Sequence, residues 1–265
     1  MRLTIDVLLD YSLPELADVL LQVEVAAMAD QRIIDAQLTV TSPEPLRATP
    51  GEEVIGQRCW ALGKSRLTAN YTATVEIDRP TPKLAGLKIS EVRNLPGLVV
   101  PYLMPSRYVE SDRFEAFVRQ EFSDLQGGWK ILAMRDWLSS NLSYVSGASS
   151  GSTTASDTFV RREGVCRDYA HLMAAFARAA SIPARVVSVY APHVQPPDFH
   201  AVVEVWLGNA WHLVDATGMA EPSEMARIAV GRDATDVAFM TIFGAATLIE
   251  QHVDVRTEPD TLPIG

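Results

Sequence analysis

The residues that decide the fold are GVCRDYAHLMAAFARAASIPARVVS, at positions 164–188. Alanine and long apolar side chains, which favour helices, fill residues 164–180. Apolar residues cover much of the helix circumference, so we expect this helix to be central and largely buried. It should end before Pro183, because proline interrupts the helical hydrogen-bond ladder. Residues 185–190 then predict a strand.

Cys166 lies near the start of this helix, just after Gly164. The free backbone N–H groups and the positive end of the helix dipole favour a thiolate at such a position. The alternative is a core cysteine, since free cysteine is among the most buried residue types. The polar neighbours Arg167 and Asp168 leave both interpretations open, so the decision must come from elsewhere in the sequence.

A β-hairpin is predicted immediately downstream. Residues 199–207 and 210–215 have the composition of strands, and a Gly-Asn pair at 208–209 suits the two-residue turn between them. With this turn, Leu207 faces Ala210, and the pairing of every earlier residue in the first strand follows.

The hairpin register brings a histidine and a carboxylate together. Counting back from the turn, Val202 faces Asp215, so His200 and Asp215 are diagonal neighbours on one sheet face, with Cα atoms roughly 7–8 Å apart. The same register places His212 opposite Val205 on the other face, which argues against His212 as the partner of Asp215.

A thiol at a helix start and an imidazole oriented by a carboxylate are the groups that activated thiol chemistry needs. His200 takes the proton of Cys166 and later donates it to the leaving amine. Asp215 orients the imidazole and stabilises its charged form. The backbone N–H of Cys166 is a natural donor to the oxyanion that forms during acyl transfer.

Two further blocks follow the quoted stretch in order, HAVVEVW at 200–206 and WHLVDATG at 211–218. Together the three blocks resemble the transglutaminase-like superfamily of bacterial and archaeal proteins related to animal transglutaminases. The resemblance spans about residues 125–220.

This resemblance implies an α+β fold with a papain-like core, in which the nucleophile helix packs on an antiparallel sheet. Matched position by position, it implies Cys166 as nucleophile, His200 as base and Asp215 as the third member of the triad. Bacterial members of the superfamily often carry a β-domain before the catalytic domain, and the N-terminal region of this chain is similar to it.

The texture of the chain predicts two domains. Period-two alternation at 3–9 and 71–77 is typical of half-buried strands, so residues 1–105 are predicted to form a β-sandwich or barrel-like domain. The proline-rich stretch at 96–105 is a linker by this interpretation. Residues 106–265 are predicted to be the catalytic domain.

Outside the decisive stretch, the second half has mostly helical texture. Helical spacing is expected at 112–122 and 129–138. The small polar residues at 146–157, SGASSGSTTASD, predict a surface loop, and another extended run occupies 248–255.

Composition excludes several function classes. The net charge of -10 and the pI near 5.0 disfavour binding to nucleic acid or to anionic lipid. Asp6 and Asp10 interrupt the apolar residues of the N-terminus, which does not have the pattern of a signal peptide. No stretch approaches the roughly 18 uninterrupted apolar residues of a membrane span. We therefore expect a cytoplasmic protein that does not bind membranes.

The two cysteines, Cys59 and Cys166, support neither a disulfide framework nor a multi-cysteine zinc site. Cys59 has no histidine near it in sequence and is predicted to be structural. A metal site from Cys166, His171 and His200 lacks compact ligand spacing and is not favoured. We predict no cofactor and no metal, because the proposed chemistry requires neither.

Several other residues near the predicted site have two interpretations. His171 is predicted to pack or to support the site, and His193 to border the substrate entrance. Either an anchor of the helix start or a solvated pair is expected of Asp168 and Arg167. Core packing is favoured for Tyr144, although its hydroxyl could reach the thiol. The remaining candidates are Glu204, as a supporting partner of His200, and residues 231–236, as a loop at the rim.

The predicted function is acyl transfer from amide bonds through a thioester on Cys166, with a peptide or protein amide as the substrate. Water as the acceptor makes the enzyme a peptidase or amidase, which we favour. An amine as the acceptor makes it a transglutaminase. The rival from another class is a catalytically silent module that binds peptides in the same groove.

Overall fold

A computed structural model of the protein describes residues 1–81 and 83–258. The strands are β1 (Arg2–Leu21), β2 (Gln31–Val40), β3 (Arg47–Pro50), β4 (Gln57–Ile77), β5 (Ser143–Tyr144), β6 (Glu163–Gly164), β7 (Ala184–Tyr190), β8 (His200–Leu207), β9 (Ala210–Val214), β10 (Ala226–Gly231), β11 (Met240–Phe243) and β12 (Thr247–Glu258). The helices are α1 (Glu115–Glu121), α2 (Gly127–Asn141), α3 (Ala155–Arg161), α4 (Cys166–Ala179) and α5 (Ala234–Val237). Among the described residues, no helix combines the length and apolarity needed to cross a bilayer.

The four N-terminal strands β1–β4 form a six-stranded sheet together with β11 and β12, and β1 and β4 are its long central pair. They run antiparallel from Arg2 opposite Glu76 to Leu21 opposite Cys59. The predicted alternation along β1 is confirmed, because its odd-numbered apolar residues from Leu3 to Leu9 are buried. Within the described ranges these strands are joined by hydrogen bonds into one sheet. At 20 and 21 residues, β1 and β4 are long enough for several shorter strands to pair along them.

The end of the chain returns to this first sheet. β12 pairs antiparallel with the first half of β1, with Val7 opposite Val253, and β11 pairs with its second half, with Leu20 opposite Thr241. The predicted boundary had assigned these C-terminal strands to the catalytic domain, 106–265. The physical reason for the difference is that one edge of β1 would otherwise expose a row of unpaired backbone groups.

The second unit is a helix packed on an antiparallel sheet, as the sequence predicts. α4 lies against β7 and β8 of a four-stranded sheet with the order β10-β7-β8-β9. Leu172, Met173 and Phe176 of α4 are fully buried, which confirms the prediction of a central helix. Phe176 also joins an aromatic cluster with Phe117 and Trp137, through which α1 and α2 pack on the same helix.

The hairpin of β8 and β9 has the predicted register. Leu207 pairs with Ala210, and Val205 pairs with His212. Gly208 and Asn209 have φ values of 56° and 65°, as the two central residues of a type I′ turn require. Because a one-residue slip would turn every side chain to the other face, this turn determines where His200 and Asp215 lie.

Candidate active site

Cys166 is the first residue of α4, and a buried carboxylate holds the start of this helix. The backbone N–H of Val165 donates to Asp168 Oδ2 at 2.9 Å, which closes the first turn. A Cβ at Gly164 would lie only 2.7 Å from the Cβ of Asp168, so a glycine is needed beside this contact. Asp168 is fully buried, which favours the anchor and excludes a solvated pair.

The loop predicted at 146–157 is tied to the same helix start. The Ser149 hydroxyl donates to Asp168 Oδ1 at 2.9 Å, and the guanidinium of Arg167 donates to Ser149 Oγ and, at 2.6 Å, to the Ser150 carbonyl. The Tyr108 hydroxyl donates to the carbonyl of Gly151 at 2.6 Å. These contacts place the loop against the cavity that holds Cys166.

The structure brings His200 and Asp215 together. His200 Nε2–H donates to Asp215 Oδ2 at 2.9 Å, and both side chains are buried. Asp215 is itself held, because Oδ1 accepts the Thr217 N–H and hydroxyl, each at 2.8 Å, and Oδ2 accepts the Ala220 N–H at 3.0 Å. These bonds fix the carboxylate, and the carboxylate fixes the orientation of the imidazole.

The imidazole nitrogen that is available to the thiol is Nδ1. Asp215 occupies Nε2, and Nδ1 is buried with no conventional hydrogen-bond partner among the described residues. Cys166 and His200 line the same cavity. The Cys166 thiol, which is only partly buried, also lies 3.9 Å from the carbonyl of Phe199. Cys166 is therefore a partly exposed thiol in the wall of a cavity rather than a core cysteine.

Electrostatics favour the charged imidazole. Burial by itself would lower the pKa of His200, but the hydrogen bond to Asp215 and the attraction of Asp215 and of the nearby Cys166 side chain outweigh burial and raise this pKa to about 10. For Asp215, burial would raise the pKa, but the contact with His200 and the bonds from Thr217 lower it. The imidazolium form therefore persists through neutral pH and is lost only as the pH rises toward 10.

Tyr144 is the neighbour of the nucleophile that sequence reasoning undervalued. The short parallel pairing of β5 with β6 sets Tyr144 opposite Gly164, two residues before Cys166. Its ring packs 6.1 Å from that of Tyr169, as the favoured packing role requires. Burial, followed by the charge of the nearby Cys166, raises the pKa of Tyr144 to about 12. No local pattern in the sequence announces a two-residue parallel pairing.

His171 packs against Tyr108 and Ala234, two residues that line the cavity. It is fully buried, stacks on the Tyr108 ring at 5.2 Å, and accepts the Ala234 N–H on Nε2 at 3.1 Å. Burial lowers the pKa of His171 to about 3, so the ring is neutral. Of the predicted rim loop at 231–236, Ala234 and Thr235 line the cavity, and both belong to the short helix α5 rather than to a loop.

Glu204 does not support His200, contrary to the sequence prediction. It is fully buried between Arg185 and Arg227, whose Nε atoms each donate to one of its oxygens at 2.7 Å. Glu204 and His200 share a sheet face, but the Glu204 carboxylate does not bind the imidazole. Both carboxylate oxygens instead bind the two guanidinium groups, because a buried positive charge without a counter-charge would strongly destabilise the fold.

The other candidates lie away from the reactive atoms. Cys59 is buried in β4, where burial raises the pKa of its thiol, as expected of a structural cysteine. His193 is exposed and lies 3.9 Å from Glu224, and His212 contacts the Leu207 carbonyl at 3.0 Å. Among the described residues, no group of three or more His, Cys, Asp or Glu side chains could hold a metal ion.

The site opens into a cavity of about 690 Å³. Cys166 and His200 lie in its wall together with aromatic residues and two arginines. A cavity of this size can hold several side chains of an extended peptide or a compact small molecule.

The chain is similar in sequence and in fold to known proteins. A sequence model of the transglutaminase-like superfamily matches residues 116–216. The chain is similar to a protein of Cytophaga hutchinsonii whose crystal structure is described as that of a candidate cysteine protease. The two are 33% identical, the similarity covers 99% of this chain and 93% of the other, and the TM-score is 0.92. It is also 25% identical to an uncharacterised protein of Mycobacterium leprae, over 81% of this chain and 76% of the relative.

Proposed function

The chain belongs to the transglutaminase-like superfamily, and from this premise we propose that it hydrolyses amide bonds of peptides or proteins through a Cys166, His200 and Asp215 triad. The observation that carries the proposal is the 2.9 Å bond from His200 Nε2 to Asp215, which leaves Nδ1 unoccupied at a cavity that Cys166 also lines. The resemblance in sequence and fold to the Cytophaga hutchinsonii protein supports the same direction.

In the proposed reaction, the Cys166 thiolate attacks the substrate carbonyl and forms a C–S bond. The imidazolium of His200 donates its Nδ1 proton to the amide nitrogen, and the C–N bond breaks. Neutral His200 then takes a proton from water, whose oxygen attacks the thioester and releases the carboxylic acid. Asp215 stabilises the imidazole whenever it is positive, and the Cys166 N–H donates to the oxyanion.

Selective alkylation tests whether the thiol is activated. Iodoacetamide at pH 6.5 is expected to label Cys166 much faster than Cys59, because the proposed His200 base activates a partly exposed thiol, whereas Cys59 is buried and burial raises the pKa of its thiol. Mass spectrometry of tryptic peptides would measure both rates. The variant His200→Ala should slow the labelling of Cys166 and leave that of Cys59 unchanged. Equal labelling of the two cysteines in the wild type would instead support a silent binding module.

Hydrolysis is favoured over amine transfer because the Cys166 side chain is partly exposed on the cavity wall. Transfer requires a site that excludes water from the thioester while it retains an amine. A glutamine-containing peptide incubated with and without a primary amine is therefore expected to give mainly the acid in both cases. Mass spectrometry distinguishes the products, and an amide formed in preference to the acid would establish a transglutaminase instead.

A further inference from the structure

The cavity beside Cys166 has walls of two different chemistries. One part is aromatic, where Phe199 and Phe239 stack in parallel with ring centroids 4.3 Å apart, and Phe243 on the edge strand β11 stands 58% exposed beside them. The other part contains the guanidinium groups of Arg107 and Arg167 beside the Tyr108 ring. A substrate that fills the cavity therefore meets an apolar surface in one part and positive charge in the other.

The two arginines are not equivalent. The guanidinium of Arg167 donates hydrogen bonds to Ser149, Ser150 and Asp168, so its donors are already engaged within the protein. Arg107 is exposed and, among the residues that the structure describes, has neither an ion pair nor a hydrogen bond from its side chain. Its one specific contact is with Tyr108, whose ring centroid lies 4.9 Å from Cζ. Stacking uses the flat face of a guanidinium and leaves its in-plane N–H groups free to bind a carboxylate.

The Tyr108 ring forms a platform under Arg107 and is held in place by several contacts. Tyr108 is buried, stacks on His171, and donates through its hydroxyl to the Gly151 carbonyl. Its backbone N–H donates to Asp233 Oδ2 at 3.1 Å. A cation held on such a platform loses less conformational freedom on binding than a mobile surface arginine.

The carboxylate of Asp198 lies in the aromatic part of the cavity wall. Asp198 adjoins Phe199 in sequence, accepts its N–H at 2.7 Å, and accepts the Gln251 side chain at 2.6 Å. A substrate carboxylate is repelled there and attracted at Arg107, so charge determines which way the substrate lies. The net charge of -10 also repels an anionic substrate at long range, and recognition must therefore come from a local cation.

We propose that the substrate is an acidic peptide, with a carboxylate side chain that binds Arg107 and an aromatic or large apolar side chain that packs against Phe239 and Phe243 on the other side of the reacting amide. This inference rests on the proposed amide hydrolysis for the position of the reacting bond. The recognition itself is a binding property that can be measured without catalysis.

The test uses internally quenched peptides with a fixed phenylalanine, in which glutamate or glutamine alternates at each of three positions on either side of the bond. In 0.15 M salt, kcat/KM for the best glutamate peptide is expected to exceed that of its glutamine partner by about 10-fold, the effect of one charge-assisted hydrogen-bonded pair. In Arg107→Gln the ratio should fall to about 1. Arg107→Lys, which keeps the charge but not the planar donors, should give an intermediate ratio. Arg47→Gln, an exposed arginine of β3 outside the cavity, should keep the wild-type ratio.

Binding of the same peptides to Cys166→Ala, measured by fluorescence anisotropy, separates the two proposals. A preference for glutamate in binding without cleavage by the wild type would refute hydrolysis and keep the acidic ligand. Cleavage with equal rates for glutamate and glutamine, or a preference that survives in Arg107→Gln, would refute the acidic substrate and keep the hydrolase. Equal binding with no cleavage would overturn both.

Discussion

Cys166→Ala is expected to lower kcat/KM for peptide hydrolysis by at least about 10⁴-fold, and His200→Ala by a similar factor. Without the thiol no thioester can form. Without the imidazole the thiolate loses its positive partner and the leaving amine loses its proton donor. Steady-state kinetics with a quenched peptide would measure the loss, and far-UV circular dichroism would establish that the variants are folded.

The double variant separates a catalytic unit from two independent structural roles. Residues that act together in one reaction are not additive, so Cys166→Ala combined with His200→Ala should be little worse than either change alone. Cys59→Ala is the matched control, because this thiol is buried in β4 and does not line the cavity. The Cys59→Ala variant should keep the wild-type activity. Full activity in His200→Ala would remove the proposed base.

Glu204→Gln is expected to lower the free energy of unfolding by about 3–5 kcal/mol, the cost of breaking a buried ion pair by removing one charge. Glu204 is fully buried and neutralises Arg185 and Arg227, which are also buried. A neutral amide would leave both guanidinium groups without their shared counter-charge and would turn N–H donors toward them. Urea denaturation at neutral pH would measure the change.

Glu15→Gln is the matched control, since Glu15 is exposed on β1, and its effect should be within about 0.5 kcal/mol. The two variants should also differ in their dependence on pH. Burial would raise the pKa of Glu204, but the attraction of Arg185 and Arg227 outweighs burial and lowers it. A lowered carboxyl pKa stabilises the fold above the ordinary value of 4.5, and this stability is lost as the pH falls below it. The wild type and Glu15→Gln should share that acid loss, and Glu204→Gln should lack it. A Glu204→Gln protein as stable as the wild type would show that the pair contributes little.

The same ion pairs connect the two sheets. Arg227 also binds Asp30, which immediately precedes β2, at 2.8 Å, and Arg185 binds Glu53, which follows β3, at 2.7 Å. Tyr190 of β7 adds a hydrogen bond to the Val23 carbonyl at 2.7 Å. The four-stranded sheet is therefore bound to the six-stranded sheet by charge and hydrogen bonds as well as by apolar packing, and Glu204→Gln should destabilise both together.

Features that depend on short stretches of chain could be predicted from the sequence. Apolar composition marked α4, and the Gly-Asn turn determined the register that sets His200 near Asp215. Both follow from interactions within about twenty consecutive residues, where backbone geometry dictates which side chains share a face. The order of the three blocks was enough to identify the superfamily.

The tertiary structure decided what distant segments do to one another. In the folded chain β11 and β12 pair with β1, and Tyr144 lies near Cys166. Glu204 binds two arginines, and Arg107 lines the cavity. Local periodicity determines which face of a helix or strand is apolar, and thus determined the helix, the hairpin and the histidine with its carboxylate. Which distant edge, charge or ring satisfies each element depends on competition among all segments of the folded chain, and no short stretch of sequence contains that information.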